Sequence, residues 1–422
     1  MAGVRIDLAE HVRRGDTITW GQTCAEPSTL VEELLAQADG IGDLRCFVGI
    51  PADSALTVDT VPDGLTVHSY CGAGTNSALH AVGRLEVWPV HYSNLPGLLS
   101  RGALRADVVL VQVSPPDGQG RHSLGLGDDY FSAAIDTARV VIAEVNDQVP
   151  FTPGARTLTA DQITASIRVS RTPGQLPTPT VGDDTVAVAR RVAELVPDGA
   201  TLQFGIGALP EAVLAELFDH RDLGIHSGII NDTAMRLVVA GVANGARKTL
   251  DRGVAVAGLF GGTTELFRWA DRNPGVALRP TTYTHDPEVL AASHRLVAIN
   301  AAIEVDLTGQ VNAEVAGRRY VGAVGGAVDF LRGAGQSAGG VPIVALPSTA
   351  RSRSGPVQRI VSRLSGPVST PRSEGIVVVT EHGVADLRGL PLNQRVERMI
   401  AIADPSHRAE LDAHADRVLA SV

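Results

Sequence analysis

Lysine is almost missing from this chain: Lys248 is the only one, although lysine and arginine together number 36. A phosphate on any ligand must therefore be held by arginine, a helix N-terminus or backbone amides. Cysteine is scarce as well. Cys24, Cys46 and Cys71 form an odd, scattered set, which excludes a disulfide framework or a zinc site as the organising feature. Long apolar runs are absent. Stretches such as Val108–Val113 and Ile376–Thr380 are strand-length and far short of a membrane span. The opening Met-Ala-Gly-Val soon meets Arg5 and Asp7 with no apolar signal segment, so the cytoplasm is the expected location. Excess positive charge is also absent, and a net charge of −10 argues against nucleic acid as a partner.

What is present is an ordinary globular balance, 44% apolar and 19% charged over 422 residues, enough for two or three domains. Strand-length apolar runs alternate with helical patterns, the signature of a largely parallel sheet covered by helices. Strands are expected at Thr17–Trp20, Cys46–Ile50, Thr66–Cys71, Asp107–Val113 and Val140–Val145. A second series is expected at Thr201–Phe204, Gly224–Ile230, Val254–Leu259, Leu296–Ile299, Val341–Leu346 and Ile376–Thr380. Between them Arg171–Pro179 carries Pro173, Pro177 and Pro179, a density that favours an extended connector. The boundary is placed there, giving domains 1–178 and 179–422.

The two halves begin alike. A short helix over Asp7–Arg14 precedes Gly15, the strand Thr17–Trp20 and Gly21; a helix over Thr185–Leu195 precedes Gly199, the strand Thr201–Phe204 and Gly205. Each loop then meets a proline, Pro27 or Pro210, and a helix, Ser28–Gln37 or Glu211–Phe218. Further on, Val67-His68-Ser69 echoes Ile225-His226-Ser227. Their common order points to an internal duplication of one α/β unit.

Several segments carry groups suited to chemistry. Gln203-Phe204-Gly205-Ile206-Gly207 runs from a strand through two glycines into a helix. Such a turn lets the backbone approach a ligand and offers free amides to an anion or oxyanion, or else it only packs. It lacks the dinucleotide fingerprint and the phosphate-loop lysine, so NAD and ATP fit poorly. Gly325-Gly326 before an apolar helix start has the same character. Asp306 to Glu314 gathers polar groups after a strand, and Asp117-Gly-Gln-Gly120 reads as a turn. His226 and Ser227 are strand neighbours, which point to opposite faces, so their adjacency does not make a triad. Glu381-His382 reads as a side-chain-stabilised turn.

These residues together resemble a known family. Gly205–Val213, Ile303–Val311, Gly325-Gly326 with Asp329-Phe330, Ala345–Ala350, Leu364–Arg372 and Thr380–Gly389 are similar, in order, to the acetyl-CoA hydrolase and CoA-transferase family. The likeness is particularly to the 4-hydroxybutyrate and butyrate CoA-transferase branch. The first half matches more loosely through Val113–Asp117. The resemblance implies two related open-sheet α/β domains of CoA-transferase type, coenzyme A bound mainly by the second as acyl-CoA substrate, a site at their interface, no metal, and a homodimer.

Typical members attack the acyl-CoA with a glutamate that follows a Gly-[Ile/Val]-His-[Thr/Ser] motif, forming a glutamyl-CoA thioester. Here the matching stretch is Gly224-Ile225-His226-Ser227-Gly228, so Gly228 stands at the nucleophile's position. Ala323–Ala327 departs from the usual Gly-Thr-Gly-Gly-Gln. Val341 stands where many members carry a basic residue, which leaves room for a carrier-protein thioester in place of CoA. Three readings follow. Water, a carboxylate or another small acceptor attacks the thioester directly, with Gly205–Gly207 as oxyanion donors and Asp232 or Glu265 as base. Alternatively Glu304, Asp306 or Glu314 replaces the lost acid, or the chain is a silent CoA-binding or regulatory protein.

Overall fold

The structure, a computed structural model, describes residues 6–52, 54–352 and 355–420. The first half builds one sheet from β1 (Thr17–Trp20), β2 (Leu44–Val48), β3 (Leu65–Ser69), β4 (Leu85–Val87), β5 (Val108–Val113), β6 (Val140–Asn146) and β7 (Ala165–Val169). Their spatial order is β4-β3-β2-β1-β5-β6-β7, and every pairing is parallel. The β-branched runs of β5 and β6 occupy the interior, where a parallel strand is covered on both faces. The outer strand β4 is short, with Glu86 exposed.

The second half contains β8 (Thr201–Phe204), β9 (Gly224–Ile225), β10 (Ala255–Ala257), β11 (Val276–Leu278), β12 (Leu296–Ala301), β13 (Val341–Ala345), β14 (Val377–Thr380) and β15 (Gly383–Asp386). Strands β9-β8-β12-β13-β14-β15 form one sheet. Strands β10 and β11 pair in parallel, and an isolated bridge from His226 to Val256 joins them to β9. Outward from β8 the order is therefore β9, β10, β11 on one side and β12, β13, β14 on the other. That is the order found around β1, with an antiparallel β15 added.

This common order corrects one detail of the expected duplication. His68 lies in β3, two strands out from β1, whereas His226 follows β9, the immediate neighbour of β8. The two His-Ser pairs fall on non-equivalent strands. The expected strand Gly224–Ile230 is also broken, because the chain turns at Ser227-Gly228 before Ile229-Ile230 pairs with Leu259-Phe260. Short strands β4, β7 and β11 were not expected, being brief or partly polar. The helix expected at Asp7–Arg14 shrinks to the turn Leu8–Glu10, since the Asp16 carboxylate captures the Arg13 amide at 2.8 Å.

Residues 171–180 form neither helix nor strand. The halves nevertheless share apolar packing, for Cys24, Ala25, Leu126 and Val149 belong to the same buried cluster as Phe204, Val213 and Phe260. Among the described residues no helix is long and apolar enough to cross a membrane.

Candidate active site between the two sheets

The carboxyl ends of strands from both sheets converge on a cavity of about 410 Å³, the position where open α/β sheets take ligands. Beyond β8, Phe204, Gly205 and Ile206 line it; beyond β9, Gly228 and Ile229; beyond β12, Ala302 and Ile303. The first half contributes Ile50, Tyr70, Cys71, Ala73 and Tyr92. The loop Gly322–Ala327 and Phe330 close the remaining side.

Backbone bonds fix this frame. The Gly205 amide donates to the Ile299 carbonyl at 3.2 Å, so it is not free for an oxyanion. The Ser227 hydroxyl donates to the Phe204 carbonyl at 3.0 Å. The Gly228 carbonyl accepts from the Gly258 and Leu259 amides at 3.1 and 3.2 Å. From the first half, the Gly72 amide donates to Gly322 at 2.7 Å and the Tyr92 amide to Gly325 at 3.0 Å. Ser93 adds a hydroxyl bond of 2.8 Å to Asp329. Glycine is required at 322, where a Cβ would lie 1.9 Å from the Ala313 carbonyl oxygen.

The interior is apolar and aromatic, with few polar groups. Tyr70, Tyr92, His285 and Phe330 form a continuous row with ring centroids 5.3, 4.9 and 4.5 Å apart. Behind the tyrosines, the Gln22 amide donates to the Tyr92 hydroxyl at 2.6 Å and to Asp129 at 2.7 Å, and accepts from the Tyr70 hydroxyl at 2.7 Å. Burial pushes the Asp129 carboxyl up to about 6. Gln203 and Asn300 pair amide to amide at 3.0 Å in the floor. Burial pushes the Cys71 thiol up to about 11, so it stays a thiol rather than a nucleophilic thiolate. Among the described residues lining the cavity none is Asp, Glu, Lys or Arg.

Of the residues singled out from sequence, the fold brings Gln203, Phe204, Gly205, Ile206, Gly228, Gly325 and Gly326 to this wall. Gly207 caps the helix Ala208–Ala215 with φ 107° and stands outside the lining. His226 is fully buried behind the wall, its Nε2–H donating to the Thr284 carbonyl at 3.1 Å. Burial, then the charge of Lys248, pushes its imidazole down to about 4, so it is neutral.

The two proposed bases stand elsewhere. Asp232 is buried and accepts from the Thr263 amide and hydroxyl at 3.1 and 3.0 Å. Glu265 is exposed and pairs with Arg236 at 3.0 Å. Neither lines the cavity. Glu304, Asp306 and Glu314 are likewise bound by local donors: Ser365 and Asn312, Thr308 and Gln310, Tyr320 and Ser369. Val341 pairs with Val297 at the amino end of β13, opposite the cavity, so the missing basic residue there does not alter this wall. Among the described residues no cluster of His, Cys, Asp or Glu could hold a metal.

His285 is the functional candidate that sequence reasoning missed. It sits in Tyr283-Thr284-His285-Asp286, with no glycine, motif or periodicity to distinguish it from a structural histidine. Its Nδ1 lies 2.9 Å from the Thr284 hydroxyl. A Cβ built at Gly228 would meet its Cε1 and Nε2 at 3.5 and 3.7 Å. Burial, then His226, pushes the imidazole down to about 3.

Paired α/β units with a cavity where their strand ends oppose each other define a class of two-domain ligand-binding enzyme folds. Residues 5–164 match the acetyl-CoA hydrolase/transferase N-terminal domain and residues 262–415 the C-terminal domain. The chain is 37% identical over 404 residues to the 4-hydroxybutyrate coenzyme A transferase of Clostridium kluyveri, covering 93% of this chain and 92% of that one. It is 31% identical over 427 residues to the butyryl-CoA:acetate CoA-transferase of Anaerostipes caccae, covering 97% and 95%. The crystal structure of RipA from Yersinia pestis superimposes with a TM-score of 0.90 at 34% identity, covering 97% of this chain and 95% of RipA. This chain belongs to the acetyl-CoA hydrolase/transferase family.

Proposed function

We propose that the chain acts on acyl-CoA thioesters by direct attack of water or another small acceptor, without a glutamyl-CoA intermediate. The observation that carries this reading is the cavity wall, which offers no carboxylate. Gly228, where the family resemblance expects the attacking glutamate, presents only backbone to His285 and Phe330. Asp129, buried behind Tyr92, is held by Gln22. A mixed anhydride needs a carboxylate at the acyl carbon, and direct attack does not.

The test is release of free thiol from a panel of short acyl-CoAs, with and without carboxylate acceptors. Release without an acceptor is expected. Release only with a carboxylate, together with a trappable enzyme–CoA thioester, would establish a replacement acid instead. Binding of CoA without any turnover would establish a silent binding protein. The same reading has the chain as a cytoplasmic homodimer, in keeping with three free, buried cysteines; sedimentation at twice the chain mass tests the dimer.

A further inference from the structure

His285 occupies the middle of the aromatic row, clamped between Tyr92 and Phe330 with ring centroids 4.9 and 4.5 Å away. Its tautomer is assigned from the neighbouring hydroxyl. Thr284 Oγ1 lies 2.9 Å from His285 Nδ1 and 3.4 Å from the Pro280 carbonyl. Assigning the hydroxyl proton to the shorter contact makes Nδ1 the acceptor and places the proton of the neutral ring on Nε2. The segment is held from behind as well, since His226 Nε2–H donates to the Thr284 carbonyl.

The Nε2 edge faces the bare backbone of two glycines. A Cβ at Gly326 would lie 2.6 Å from Nε2 and one at Gly228 3.7 Å from it. Any side chain at 326 would collide with the ring. The Gly205 amide, the obvious backbone alternative, is already bonded to Ile299.

We propose that the Nε2–H of His285 is the hydrogen-bond donor that polarises the thioester carbonyl and holds the oxyanion during attack. The nature of the nucleophile rests on the direct-attack reading above. The oxygen of water bonds to the carbonyl carbon, and the carbonyl π pair moves onto the oxygen that accepts from Nε2–H. Collapse restores the double bond and breaks the carbon–sulfur bond. The departing CoA thiolate takes the proton lost by the water, giving a carboxylic acid and free CoA thiol. The imidazole keeps its proton throughout. Burial supports a donor rather than a base: an imidazole held far below its ordinary value is a poor proton acceptor, yet it presents its N–H over the whole working pH range.

The test uses the full chain and a ketone analogue of a short acyl-CoA in which CH2 replaces the thioester sulfur and the carbonyl carries ¹³C. Isotope-edited infrared spectra are compared between the unaltered chain, His285→Phe and His285→Leu, with His285→Gln as the variant that keeps an N–H. The carbonyl stretch is expected at lower wavenumber in the unaltered chain than in either donor-free variant, with Gln between them. With acyl-CoA, kcat should fall by about 100- to 1000-fold in the donor-free variants while KM changes little. The same stretch in the unaltered chain and a donor-free variant that binds the analogue would overturn the proposal. If the unaltered chain binds the analogue and shows the shift but releases no thiol, direct attack is refuted and the donor role stands. If it fails to bind the analogue, both are refuted.

Discussion

Restoring a carboxylate at position 228 is the sharpest test of the site. Gly228 does not have the positive φ reserved for glycine, and a Cβ there meets His285 and Phe330 at 3.5 to 3.8 Å, ordinary van der Waals contact. The Cβ of Gly228→Glu is therefore accommodated without a clash. A carboxylate partly withdrawn from water has its pKa raised by about one to two units, at roughly 1.4 kcal/mol each. Replacing glycine at a compatible site returns about 0.4–1 kcal/mol through the unfolded chain. The net cost is about 1–2 kcal/mol, a fall in Tm of about 2–8 °C for domains of this size. The functional gain is specific: the new carboxylate attacks the acyl carbon and displaces the CoA thiolate, which then attacks the glutamyl carbonyl of the anhydride and expels the acyl group as a carboxylate, leaving the protein heavier by a CoA thioester. Calorimetry and intact-protein mass read the two effects. A fall in Tm of more than about 10 °C would refute the contact geometry. A well-folded variant that binds acyl-CoA yet forms no adduct would refute the assignment of position 228 as the reacting position.

Gly322→Ala should behave in the opposite way, because its Cβ would lie 1.9 Å from a backbone oxygen that cannot swing aside; a loss of about 3 kcal/mol or more is expected in urea unfolding. Asp129 is held at about 6 by burial against an ordinary 3.8, so the native state keeps a proton that the unfolded chain releases. Its cost is absent below about pH 4 and reaches on the order of 3 kcal/mol above about pH 6. Stability should thus fall as pH rises through that window, and Asp129→Asn should flatten the slope of unfolding midpoint against pH. Asp232→Ala should destabilise by about 1–3 kcal/mol through the orphaned Thr263 amide, with the KM for acyl-CoA unchanged. Glu265→Ala removes an exposed ion pair and should move stability by less than about 0.5 kcal/mol and turnover not at all; loss of turnover in either variant would reinstate it as a base.

Much of this architecture is readable in the chain because buried parallel strands announce themselves as continuous β-branched runs, as at Val108–Val113 and Val140–Asn146. Strands such as Leu85–Val87 and Val276–Leu278 are three residues long and too brief to show a period. The glycine-rich walls were legible because glycine marks close approach wherever it occurs. His285 was not, since its importance comes from what surrounds it in space: Tyr92 from the other half, Phe330 from a later helix, and the bare backbone of Gly228 and Gly326. Asp232 and Glu265 looked eligible as acids following the family motif. Only the fold reveals that one is spent on Thr263 and the other on Arg236.

The loop Gly322–Ala327 is at once a wall of the cavity and a seam, tied to the first half through Gly72 and Tyr92, and through Ser93 to Asp329 in the helix that follows it. Occupancy of the cavity and docking of the halves are therefore thermodynamically linked. Whatever free energy a ligand gains by touching both walls must reappear as resistance to their separation. A substitution that loosens the Ser93–Asp329 tie, though it touches no ligand atom, weakens binding by the share of that energy the seam had supplied.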